Sequence, residues 1–355
     1  MTVYMPILKG RASEIQALGK IQKENLASVR ALIEVMPPDQ SPEDGRQAVI
    51  EAATIFEKRV KDHLPRQRVF AVDCTRLLSR RWPHVCGAIS GVSNIMHRHG
   101  YSVIPVIRPT DRDCELVDAG RAAKQHQKGV CLRVQWGEHR TAADDGQLAR
   151  RVRQLMGLGL SDFDLLVDVW SVDSDSRLRK GIERARQALT WAGKWPFRSL
   201  TLAAGAFPKD LGDVPFDTPT AIPRHDACLW SSAAAAYEGP LDVFYGDYGV
   251  SSPRAGQGFN PHPNLRYTVR DQWVVYRCKK LEGPGALRGF QDLCRAVIAD
   301  QWPPFAASYS WGDQQIERFA LGQPELPWKM ESWQICGMSH HFATVLDRLA
   351  NLGQA

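Results

Sequence analysis

What most constrains the fold of this chain is a rhythm of short apolar runs. They stand at 5–8 (MPIL), 31–33 (ALI), 69–72 (VFAV), 102–107 (SVIPVI), 130–132 (VCL), 164–167 (DLLV), 199–206 (SLTLAAGA) and 242–246 (DVFYG). The gaps between them are long enough for a helix, and most are polar. Uninterrupted apolar runs suit strands covered on both faces, and their alternation with helices is the pattern of a parallel sheet with crossover helices. Eight such units close a (β/α)8 barrel, so the expected fold class is α/β and TIM-barrel-like. An open doubly wound sheet shares the same local pattern and is the alternative at this point.

After residue 248 the rhythm stops. SSPRAGQGFNPHPN (251–264) has the composition of a loop, YTVRDQWVVYRCKKL (267–281) that of extended chain, and ALRGFQDLCRAVIADQW (286–302) that of a helix. A further helix is expected from Asp313, and a last one over SHHFATVLDRLANLG with Ser339 as its N-cap. The expected organisation is one barrel domain over 1–355, with 249–335 inserted between the eighth strand and the final helix.

Composition limits function more than it names it. With 44% hydrophobic and 24% charged residues and a formal net charge of +6, the chain reads as globular and neither collagen-like nor disordered. No window has the roughly 18 uncharged apolar residues of a membrane span, and the first 25 residues carry Lys9, Arg11, Glu14, Lys20, Lys23 and Glu24, with no apolar leader expected. A cytoplasmic protein with no membrane contact is expected. The eight cysteines are scattered, none in a C-x-x-C pair, and most are expected to be small buried hydrophobes. No G-x-G-x-x-G, Walker loop, G-x-S-x-G or H-E-x-x-H occurs, so nucleotide cofactors and zinc hydrolysis lose their usual support.

Seven of the eight runs close on an ionisable residue: Lys9, Glu34, Asp73, Arg108, Arg133, Asp168 and Asp247. In a parallel barrel these ends converge on the rim where barrel enzymes hold their chemistry. Buried charges are costly, so such a ring must pair internally or meet water or a ligand. One reading is a salt-bridge network, such as Lys9 with Glu34 and Arg108 or Arg133 with Asp73 or Asp168. The other is a polar site with Lys9, Glu34, Asp73, Asp168, Asp247 and His340 as candidate catalytic residues and Arg108, Arg133 and His341 as anion-binding residues. In that site the carboxylates serve general acid–base chemistry or Mg²⁺ ligation, and no other cofactor is expected. His340 and His341 join on the expectation that the last helix begins beside the rim, and Tyr245 and Tyr248 are candidates for the mouth. The arginines of RRVRQ (150–154) and RLRK (177–180), with Arg184 and Arg186, are expected on neighbouring exterior helices, either as solvated faces or as a patch for nucleic acid or an acidic partner.

The opening YMPILKGRASEIQAL and the following ALIEV resemble the start of the bacteriophage beta protein family, with Ala31 where the family more often has proline. SWGDQQIERFALG, the Trp333 region and SHHFATVL resemble its closing elements. The matched polar positions are Lys9, Glu14, Glu34, Asp313, His340 and His341. The resemblance implies a barrel carried by phages, phage satellites and bacterial islands. It also implies an accessory role in anti-phage defence, or as the antitoxin-like partner of a toxin or effector protein. The rival function, from a different class, is a metal-dependent hydrolase of phosphoesters or nucleic acid that uses the charged mouth.

Overall fold

The computed structural model describes residues 4–38, 43–77, 86–136, 147–254, 262–279, 284–300, 305–325 and 331–351. The strands, in chain order, are β1 (Tyr4–Lys9), β2 (Leu32–Glu34), β3 (Phe70–Asp73), β4 (Val103–Ile107), β5 (Val130–Gln135), β6 (Phe163–Ser171), β7 (Ser199–Gly205), β8 (Thr220–Pro223), β9 (Val243–Asp247), β10 (Asn264–Val269) and β11 (Gln272–Arg277). Strands β1 to β7 and β9 pair in parallel into a closed eight-stranded barrel, β9 returning to β1, and this rules out the open sheet. Each apolar run of the sequence holds one barrel strand.

Helices occupy the crossovers: α1 (Ala12–Gly19), α2 (Gly45–His63), α3 (Ala88–Arg98), α4 (Asp113–His126), α5 (Gln147–Met156), α6 (Asp175–Ala192) and α7 (His225–Ala234). Their apolar stripes follow from 3.6-residue spacing, as in α2, where Val49, Ala52, Ala53, Phe56 and Val60 are buried against the barrel wall. Period-two alternation along each strand sends one set of side chains to these helices and the other into the barrel lumen. Met5, Ile7, Leu32, Ala71, Ile104, Val106, Cys131, Leu166 and Ala203 form the lumen core.

Between β9 and the C-terminal helix the chain builds a second layer. Strands β10 and β11 form a hairpin, and β8, from the β7–α7 connection, pairs antiparallel with β11 to make a three-stranded sheet. Sequence reasoning had no strand at 220–223; β8 is short, half-exposed and made by pairing with a hairpin far along the chain. Helices α8 (Pro284–Ala299) and α9 (Trp311–Ala320) cover this sheet, with Leu265, Tyr267, Phe290, Ile316, Phe319 and Trp333 in a separate core.

The last helix, α10 (Ser332–Ala350), starts well before the expected cap at Ser339. Trp333 and Cys336 on its first turns bury into the second core, which extends the helix N-terminally. Ser339 accepts a hydrogen bond from the Gly312 amide instead, at 3.1 Å. Gly337 permits the close seat of α10 on β10, since a Cβ there would stand 2.7 Å from the Arg266 carbonyl oxygen. Two cysteines also depart from expectation: Cys86 and Cys114 form a disulfide with Cα atoms 6.2 Å apart, tying the entrance of α3 to the first turn of α4. Cys74, Cys131, Cys294 and Cys336 are buried and unpaired, as expected.

Candidate functional site at the barrel mouth

Strand parity decides which rim residues meet. Lys9, Glu34, Asp73, Arg108, Arg133 and Asp168 continue the lumen-facing sets of their strands, because each stands two residues beyond a lumen side chain. In β9 the lumen residues are Gly246 and then Tyr248, so Asp247 faces outward, towards α10. The expected ring of seven therefore divides.

Arg133 is the centre of the inner group and is buried. Its Nη1 donates to Glu34 Oε1 at 2.9 Å and Asp73 Oδ2 at 2.8 Å. Its Nη2 donates to Asp168 Oδ2 at 2.7 Å and to the Tyr248 hydroxyl at 2.8 Å, and its Nε to Asp168 Oδ2 at 3.0 Å. Tyr248 in turn donates to Asp168 at 2.7 Å. All five guanidinium N–H groups thus have partners, a use of the planar fork that lysine cannot copy. Arg108 donates to Asp73 at 3.1 Å, and Arg76 pairs with Glu34 from the loop after β3. Three carboxylates face three guanidinium groups, so the hub is neutral. Burial alone would push the Asp73 carboxyl up; Arg108 and Arg133 outweigh it and hold the group well below the usual carboxylate range.

Lys9 lies apart from this hub. Its ammonium donates to the Ser252 carbonyl at 3.0 Å, and burial lowers its pKa. Near it, Glu14 is buried, and its Oε1 accepts long hydrogen bonds of 3.3 Å from Ser251 and Gln334, while its Oε2 has no partner among the described residues. Burial raises its pKa to about 7.

Asp247 belongs to an outer cluster behind the barrel wall. It accepts from Tyr4 at 2.8 Å, from the Gly249 amide at 2.9 Å and from His341 Nε2 at 2.9 Å, and Arg224 lies 3.4 Å away. Burial lowers the pKa of His341 against the opposing pull of Asp247, and its Nδ1 meets Thr268 Oγ1 at 2.9 Å. Burial would raise Asp247, but its interaction with His341, in charge and hydrogen bond, and the Arg224 charge outweigh it and hold the carboxyl below the usual carboxylate range. His340 points elsewhere: its Nδ1 meets Asp313 at 2.9 Å, its Nε2 meets the Thr268 carbonyl at 2.8 Å, and Tyr267 stacks on its ring at 3.7 Å. Both histidines are buried in the middle of α10. The expectation that they flank the rim at a helix N-terminus is corrected by the earlier start of α10. Although Asp247, His341 and Thr268 stand in the order of a catalytic triad, all three are buried, and their bonds tie α10 and β10 to the barrel.

Beside the hub, on the β4–β6 side of the mouth, opens a cavity of about 750 Å³. Arg108 and Arg133 stand on its strand side, Arg177, Lys180 and Arg184 on its α6 side, and Arg254 on the loop after β9; none of the described residues lining it is acidic. The α6 cations recur at positions i, i+3 and i+7, one stripe of the helix. The stripe reaches the mouth because Gly181 lets α6 approach: a Cβ there would lie 2.8 Å from Leu229 and 2.9 Å from Val172. Arg177 is paired with Asp173, whereas Lys180, Arg184 and Arg254 make no ion pair among the described residues. The basic stretch expected on the exterior therefore divides, part of it reaching the cavity. Helix α5 packs on α4, where Arg151 is held by Asp113 and the Asp111 carbonyl, each at 2.7 Å, while α6 packs on α7, with Arg177, Lys180 and Arg184 lining the cavity and Arg179 and Arg186 exposed outside it.

At the lip stands Trp170, 39% exposed and in a left-handed backbone conformation (φ 67°). A shift of register between Asp168 and Ser171 creates this bulge, and the Trp170 amide donates to Asp168 Oδ1 at 2.9 Å. The Arg254 guanidinium sits over the indole, 5.7 Å from its centre.

Fold and mouth together define a class: a TIM-barrel-like α/β protein whose hub carboxylates are neutralised internally and whose unpaired charges along the cavity, among the described residues, are positive. The chain belongs to the beta protein family, whose model, described as "Beta protein", matches residues 4–347, nearly its whole length. No curated protein matches it. Among the described residues no helix is long and apolar enough to cross a membrane.

Proposed function

We propose that this barrel recognises an anionic group at its mouth without transforming it. Such recognition is how it would serve as an accessory protein of phage conflict, in anti-phage defence or against a toxin or effector. One observation carries the reading: Arg133 fills the space between Glu34, Asp73 and Asp168, so the carboxylates a hydrolase would use are already committed. The donor set does not fit Mg²⁺. A hard cation needs carboxylate oxygens turned towards it, and here three carboxylates turn towards a guanidinium while Asp247 faces the other side of the wall. The metal-dependent hydrolase is therefore the weaker reading.

The test pairs two assays on the full chain. In a bacterial host challenged with phage or with the cognate toxin, K180E/R184E abolishes protection, whereas E34Q retains it wherever the variant still folds. Incubated with Mg²⁺ or Mn²⁺ and an activated phosphodiester, the wild-type protein gives no turnover. Turnover that disappears in D168N would overturn the proposal.

A further inference from the structure

Building on that reading of the mouth, we infer that the cavity between β6 and α6 is a nucleoside-polyphosphate site, with the phosphates on Lys180, Arg184 and Arg254 and the base against Trp170. Three cations with no ion pair among the described residues, on the walls of one concavity, match the two to four negative charges of a nucleoside di- or triphosphate. Arg108, whose Nε has no partner among the described residues, adds a donor at its floor but is already neutralised by the hub, and the N–H groups of Arg133 are all committed there. A lone phosphate has five heavy atoms and leaves most of about 750 Å³ empty, whereas pockets of roughly 300–1,000 Å³ enclose ligands with a ring system.

Trp170 supplies the second half of the argument. A bulky residue held at positive φ costs on the order of 1–3 kcal/mol, and such strain persists where a site uses it. Here the bulge and the hydrogen bond to Asp168 hold a large aromatic surface at the lip of a cationic cavity instead of in the core. An aromatic face beside phosphate-binding cations is the arrangement by which proteins hold bases without a sequence motif. The absence of a Walker or dinucleotide fingerprint is consistent with phosphates bound by side chains rather than by a glycine-rich loop.

Isothermal titration of the full chain with ATP, ADP and inorganic tripolyphosphate tests the assignment. ATP is expected to bind with micromolar affinity, at least tenfold tighter than tripolyphosphate. W170A should erase that preference while leaving tripolyphosphate binding in place, and K180E/R184E should weaken both ligands tenfold or more, with circular dichroism confirming the fold. If tripolyphosphate binds through Lys180 and Arg184 but ATP gains nothing from Trp170, the nucleotide assignment falls and the anionic mouth stands. If no ligand binds, or if binding ignores the α6 cations, both fall. A short single-stranded oligonucleotide that binds more than tenfold tighter than ATP overturns the assignment in favour of nucleic acid.

Discussion

Replacing Arg133 by methionine tests the hub most directly, because it removes the shared partner of three buried carboxylates while keeping an unbranched apolar stem. Glu34 retains Arg76 and Asp73 retains Arg108, but Asp168 keeps only the Tyr248 hydroxyl and the Trp170 amide. Breaking a buried ion pair from one side costs about 3–5 kcal/mol, since the remaining charge stays desolvated. At roughly 2 °C per kcal/mol for a chain of this size, the melting temperature should fall by roughly 6–10 °C. The deficit should also depend on pH. In the wild-type protein the depressed Asp73 group stabilises the fold fully above its unfolded value near 4, and this contribution disappears only as pH falls through the lower folded value, so it is constant between pH 7.5 and 5. In R133M the uncompensated carboxylates take up protons more readily than in the unfolded chain, so acidification relieves the variant, by roughly 1–2 kcal/mol at about 1.4 kcal/mol per pKa unit. Urea unfolding at pH 7.5 and pH 5 measures both effects. A deficit below about 1 kcal/mol, or one that stays constant or widens at pH 5, would refute the hub as the organiser of the mouth. R133K should recover only part of the loss, because one ammonium cannot span three carboxylates.

Two further substitutions probe the surroundings. Burial raises Glu14 to about 7, so its proton is held more tightly in the folded than in the unfolded state; its stabilising contribution is complete below the unfolded value near 4.5 and declines as pH rises through 7. E14Q, which keeps the acceptor for Ser251 and Gln334, should therefore match the wild-type protein at pH 5 and exceed it in stability by a few kcal/mol at pH 8, as read by thermal unfolding at the two pH values; equal curves at pH 8 would contradict this. G181A should destabilise by about 1–3 kcal/mol despite the better helix propensity of alanine, because the added methyl meets Leu229 and Val172. Displacement of α6 should also weaken tripolyphosphate binding in the same titration used for the cavity, and a stabilised variant with intact binding would show that α6 does not need its close seat.

The sequence exposed what depends on local period and left hidden what depends on parity and on distant pairing. Eight apolar runs were legible because strands buried on both faces need continuous hydrophobicity, and each became a barrel strand. Six of the seven charged run ends share the lumen parity. Asp247 does not, and counting alternate residues back through Gly246 would have chosen Tyr248 instead. Arg76 at the hub had no signal, since nothing in a loop after β3 marks it for Glu34. The α6 cations were visible as a basic helix, but their direction was set by Gly181, whose missing side chain decides how near the helix sits to β6. For β8 and the early start of α10, the determining contacts are with β11 and the second core, far along the chain.

The division of charge at the mouth links these observations to function. A barrel that folds with Arg133 inside three carboxylates has assigned its acidic rim to stability, because in low dielectric a guanidinium and its carboxylates are more stable together than any one of them left free. What then distinguishes the mouth is the side where no carboxylate answers the cations. Lys180, Arg184 and Arg254 make no ion pair among the described residues, although Arg254 lies over the Trp170 ring. The proposed anion site takes these cations as its ligands, and the hub holds the lip of that cavity in place through the hydrogen bond from Trp170 to Asp168.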